Sequence, residues 1–168
     1  MPNSTSVATA TNAAGTSIGA ISAWATSDNT RNNPSFTSLT GDIDIEFGNL
    51  NVPAGATITG LELTVEGQGN NFAATPEIAL SNGSSTSSGI APSAAFNKSD
   101  QVVTYGSSTE LWGLSWTPTT ANAVSATIKV STILSGVLFW DFVQMTVYYD
   151  TSVTASNGTI KLLASAGK

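Results

Sequence analysis

The chain has 168 residues, enough for one domain with a sizeable core, and pairs an ordinary 40% apolar fraction with only 10% charged side chains and a net charge of −6. Its 5 basic residues, Arg31 and the lysines, are scattered, which argues against nucleic-acid binding and against an anionic membrane surface, since both need clustered Lys and Arg. With no cysteine and no histidine, disulfides, thiolate metal sites, the commonest zinc ligand and the commonest general base are excluded.

The N-terminus has neither a basic start nor a long apolar run, so no signal peptide is expected. No window approaches the roughly 20 apolar residues of a membrane-spanning helix. Residues 1–27 carry no charged side chain, and Val7, Ile18, Ile21 and Trp24 are their larger apolar groups. Such a segment has little to bury on its own and is expected to lie on its own body or on a neighbouring subunit. Residues 1–23 are therefore read as an extended arm, 24–150 as the body and 151–168 as a second arm or edge hairpin around Asn157-Gly158.

After a polar loop at 27–35, a strand is predicted from Phe36 to Phe47. Within it Ile43, Ile45 and Phe47 alternate with Asp42, Asp44 and Glu46, giving one apolar and one acidic face. Pro53 and Gly55 predict a tight turn into a second alternating strand, Thr57 to Glu66. Ile58 and Leu61 fall on opposite parities around Gly60, which predicts a β-bulge there. A loop from Gly67 to Thr75 and a short strand from Glu77 to Ser81 follow, then a Ser/Gly-rich loop to Gly89. Val102–Tyr105 reads as a strand fragment, and Trp112, Leu114 and Trp116 share one parity, as in a strand with two indoles toward a core or an interface.

Thr117 and Pro118 predict the cap and first position of a single helical turn. Val124 to Val130 alternates cleanly, Ser135-Gly136 predicts a hairpin turn, and the chain returns as Leu138 to Tyr149. Both faces of that last strand are partly apolar, as in a central strand. Short strands punctuated by Gly, Pro and Asn predict an all-β fold, an antiparallel β-sandwich of jelly-roll type with extended N- and C-terminal arms.

Asp42, Asp44 and Glu46 are the candidate cation ligands. On a strand they project about 7 Å apart, whereas calcium takes six to eight converging oxygens, usually from a curled loop. A solvated acidic face is the simpler reading, unless Glu62 and Glu66 lie beside them and share a cation. A carboxylate pair for glycoside hydrolysis needs two acids about 5–9.5 Å apart across a cleft, and the acids here fall mostly on strand faces. No phosphate-binding glycine loop or dinucleotide fingerprint is present. Trp24, Trp112, Trp116, Trp140, Tyr105, Tyr148 and Tyr149 can stack on sugar rings where exposed, though alternation places most of them in a core or interface.

The runs FGNLNVPAGATITGLELTVE (Phe47 to Glu66), YGSSTELWG (Tyr105 to Gly113) and DFVQMTVYY (Asp141 to Tyr149), with Trp24 near the start of the body, resemble phage virion jelly-roll domains, head decoration (cement) proteins most of all. The resemblance spans most of residues 24–150 and brings no catalytic residue with it. It implies a non-enzymatic protein without cofactor on the outer surface of a virion capsid, a homotrimer whose other partner is the major capsid protein. Val7, Ile18, Ile21, Trp24, Trp112 and Trp116 are then the candidate interface residues. Acidity suits the outer surface over the DNA-lined interior, and low charge suits a subunit interface. The alternative is a tail-fibre or receptor-binding module that holds host-surface carbohydrate.

Overall fold

A computed structural model describes residues 3–7, 35–37, 43–47, 49–70, 75–129 and 137–151. Ile18, Ile21, Trp24, Asp42, the expected turn at Ser135-Gly136 and the segment 152–168 lie outside them, as does the side chain of Val7. The strands are β1 (Asn3–Val7), β2 (Ser35–Thr37), β3 (Ile43–Glu46), β4 (Ala56–Asn70), β5 (Glu77–Ser81), β6 (Gln101–Ser107), β7 (Ser125–Lys129) and β8 (Val137–Thr151), with one helical turn, α1 (Pro118–Ala121).

They form two antiparallel sheets. The larger runs β1-β8-β4-β6, with β2 also paired to β8, and the smaller runs β3-β7-β5. From β2 onward the chain crosses between sheets at nearly every step, which is the winding of a jelly roll. The exception is the stretch after β5. It stays with the smaller sheet, where Ile90 and Thr86 bridge back to Ile78 and Ser81.

Alternation determines what enters the space between the sheets. From the larger sheet come Leu61, Leu63, Val65, Val103, Tyr105, Val143, Met145 and Val147; from the smaller come Ile45, Ile78, Leu80, Ala126 and Ile128. Each fully buried Leu, Ile or Val removes apolar surface from water worth about 1.5–3 kcal/mol. Leu50 and Val52 close one end of this core, and Asn122 holds their loop in place. Its Oδ1 accepts from the Val52 N–H (2.8 Å) and its Nδ2 donates to the Val52 carbonyl (3.1 Å).

The bulge expected at Gly60 is present. Ile58 pairs with Tyr149 and Gly60 with Tyr148, leaving Thr59 as the extra residue, so both Ile58 and Leu61 reach the core. Gly60 is required for a second reason: a Cβ there would collide with the Ser108 carbonyl group. The Pro53–Ala56 turn also forms, closed by Ala56 N–H to Pro53 O (3.1 Å) with Gly55 at φ 83°. Thr117 caps α1, and Thr117 and Thr120 form a reciprocal capping box beside Pro118.

Four expectations need correction. The single strand predicted over Phe36–Phe47 is two strands in different sheets, β2 on the larger and β3 on the smaller, with Phe36 on the opposite parity from Ile43 and Ile45. The stretch 67–70, read as loop, extends β4 opposite β8. Beyond Gly67, the last residue of β4 paired with β6, β8 alone carries the ladder, and the Gly69 N–H donates to the Asn97 carbonyl. Trp112–Trp116 is a looped segment of turns between β6 and α1, held by indole hydrogen bonds rather than a ladder. Finally, β7 and β8 are not a hairpin: β7 pairs with β3 and β5, β8 with β4, β1 and β2. Apolar residues on both sides of a turn specify two buried strands without specifying that they pair.

Candidate functional site

The acidic row on β3 follows from its alternation. Ile45 points into the core, so Asp44 and Glu46 face outward. Asp44 is half-buried, and its Oδ1 accepts a hydrogen bond from Thr127 Oγ1 on β7 at 2.7 Å. Glu46 is exposed. Glu62 and Glu66 belong to β4 in the other sheet, so they do not share a face with Asp44 and Glu46. Among the described residues no three Asp, Glu, His or Cys side chains come together as a metal site.

Beside Glu46, where β3 meets the turn between α1 and β7, lies an open cleft of about 370 Å³. Glu46, Phe47, Asn122, Ala123, Val124 and Ser125 line it. Of these, Phe47 is buried and Asn122 is hydrogen-bonded to the Val52 backbone. Among the described lining residues Glu46 is the one carboxylate, so they hold no acid pair of the kind glycoside hydrolysis uses. The cleft's chemistry is that of a negatively charged polar contact surface.

The outer face of the larger sheet differs. Glu66 is 1% exposed, and its Oε2 is buried without a hydrogen-bond partner among the described residues. Its cross-strand neighbours are Val102 on β6 and Phe142 on β8. Further along the same face, Tyr148, which stands opposite Gly60, donates a hydrogen bond to Glu62. Burial first, then the Glu62 charge and that hydrogen bond, raise the Tyr148 hydroxyl above its ordinary range. Between them Thr64, Thr104 and Gln144 make a neutral polar row.

The tryptophans separate. Trp112, an interface candidate by sequence, is a core residue at 3% exposure. Its backbone is left-handed at φ 58°, a conformation that costs about 1–3 kcal/mol in a non-glycine residue. Three contacts hold it there. Its N–H donates to Glu110 Oε1 (2.6 Å), its indole N–H donates to the Leu61 carbonyl (2.9 Å), and its ring packs on Gly106. Trp116 is half-buried against the core, with its indole N–H on the Leu111 carbonyl (2.9 Å). Leu111 and Val102 are the exposed large apolar residues of the described body.

Sequence reasoning missed two things. One is Asn122, hidden in the short TPTTAN segment; its position after a capped helical turn was the available signal. The other is that β3 is an edge strand, for which alternation carries no signal at all. No protein-family model, curated protein or solved structure matches the chain.

Proposed function

We propose that the chain is a non-enzymatic virion structural protein, a decoration (cement) protein on the outer surface of a phage capsid shell, acting as a homotrimer with the major capsid protein as its partner. The observation that carries this reading is β1. Residues 3–7 lie antiparallel on the edge of β8, Asn3 opposite Tyr148 and Val7 opposite Gln144, so the charge-free N-terminal segment is of the strand-adding kind. A net charge of −6 suits an outward-facing role, away from packaged nucleic acid. Binding only to the assembled shell would stabilise it by mass action.

Cryo-electron microscopy of particles carrying the full chain, alongside particles carrying a chain lacking residues 1–23, tests this. The full chain is expected as trimers on the outer shell. The truncated chain is expected to keep its sandwich, somewhat destabilised by loss of β1, and to lose stable occupancy. Undiminished occupancy after truncation would remove the arm from the mechanism. Density confined to the tail or its fibres would replace the capsid reading with the carbohydrate-binding one.

A further inference from the structure

Asn82 and Gly83 follow β5 directly. An asparagine before a glycine is open to attack by the next backbone nitrogen, because glycine sets no Cβ beside that nitrogen. The reaction needs only water. The Gly83 nitrogen gives its proton to solvent and bonds to Asn82 Cγ, the Cγ–Nδ2 bond breaks, and ammonia leaves a succinimide. Water then opens that ring to aspartate or isoaspartate.

The fold engages each group that takes part. Asn82 Oδ1 accepts from the N–H groups of Ser84 (3.0 Å) and Ser85 (2.9 Å). Its Nδ2, the leaving group, donates to the Ser115 carbonyl (3.1 Å) in the loop between β6 and α1. The Gly83 N–H, on the attacking nitrogen, donates to Ser81 Oγ (3.2 Å). The turn is closed by the Asn82 N–H on the Ser85 carbonyl (3.1 Å) and by the bridge between Ser81 and Thr86. The loop carrying Ser115 is fixed in turn, since the Leu114 N–H (3.0 Å) and the Trp116 indole N–H (2.9 Å) both donate to the Leu111 carbonyl. Ring closure brings Cγ onto the Gly83 nitrogen and carries Nδ2 and Oδ1 off these partners, so this corner has to open first.

We propose that Asn82-Gly83 is a deamidation site that the fold holds shut, with the Asn82–Ser115 hydrogen bond as its catch. Conversion then marks chains in which this corner has opened, and it keeps the corner from closing again. A carboxylate at position 82 has no hydrogen to donate to the Ser115 carbonyl and sets a negative charge against it. Two loops that lie 33 positions apart in sequence lose their tie. The inference does not depend on the capsid reading, since it concerns the isolated chain.

The test incubates the full-length chain at mildly alkaline pH, folded and in guanidinium chloride, and reads deamidation at position 82 by peptide-mapping mass spectrometry. A blocked peptide of residues 78–90 in each solvent supplies the chemical rate without the fold. The folded chain is expected to react at least about tenfold more slowly than the unfolded chain, after correction by the peptide. Asn82→Asp keeps the acceptor for Ser84 and Ser85 and loses the donor to Ser115. It is expected to speed amide exchange at Leu114 while Ser84 and Ser85 stay protected. Equal rates folded and unfolded, faster reaction in the folded chain, or unchanged exchange at Leu114 in Asn82→Asp would overturn the proposal.

Discussion

β3 and β4 carry the same kind of sequence, an apolar residue at every second position with acids between, and they end in opposite circumstances. β3 is an edge strand of four residues whose Glu46 stands in solvent. β4 is a central strand of 15 residues, flanked by β8 and β6, whose Glu66 is buried with one oxygen unpartnered. The inward residues match, with Ile45 and Leu63 both fully buried. The outward residues do not, and the difference lies entirely in what the neighbouring strands place around them. An acid in a strand is a surface group or a buried liability according to its neighbours in space.

The comparison breaks first at the core. Leu63→Ala in the central strand is expected to cost about 3–5 kcal/mol, while Ile45→Ala at the edge should cost about 2–3 kcal/mol because an edge can settle into the space. Urea unfolding of both measures this, and equal losses would remove the distinction between centre and edge. Gly106→Ala is expected to cost at least about 2 kcal/mol. Gly106 has φ 78° and sits under Trp112, and a Cβ would press on the Leu61 carbonyl as well as the indole. A neutral result in thermal unfolding would mean that β6 and the tryptophan loop yield easily.

Tyr105, which faces Leu63 on the paired strand, gives β4's side of the sandwich an alkaline signature. Its hydroxyl donates to the Pro76 carbonyl at 3.0 Å, and burial pushes its ionisation far above the ordinary range. The unfolded chain ionises near pH ~10 while the folded chain holds the proton. The resulting stability is complete below that pH and falls as pH rises beyond it, by about 1.4 kcal/mol per pH unit. Tyr105→Phe should flatten that slope in denaturant titrations above pH ~10; an unchanged slope would assign it elsewhere.

The acids themselves give the smallest effects and the sharpest contrast. Glu66→Gln is expected to stabilise by about 1 kcal/mol, since a buried carboxylate oxygen without a partner is costly and an amide is less so. Glu46→Gln should stay within about 0.5 kcal/mol of wild type. Melting temperatures of the two variants measure the difference, and destabilisation by Glu66→Gln would show that its charge is being used.

Much of the fold was legible because it depends on local pattern. The alternation of Leu61, Leu63 and Val65, the parity slip at Gly60, the Pro53–Gly55 turn and the Thr117–Pro118 cap each follow from residues within a few positions of one another. The failures share a cause. Phe36–Phe47 read as one strand and the β7–β8 connection as a hairpin because alternation reports which side of a strand is apolar, never which sheet it joins. Trp112 read as a candidate interface residue because size and parity do not show that its indole reaches Leu61, 51 positions away in sequence. The acidic row was visible from the start, while its position on a strand that, among the described residues, pairs with β7 alone was not.

By itself, then, the sequence determined an acidic, low-charge, all-β domain and which side of most strands faces inward, because side-chain direction alternates along any strand. Only the tertiary structure decided how strands divide between two sheets, which acid is buried and which strands pair. Those depend on contacts between residues tens of positions apart, and no local pattern records them.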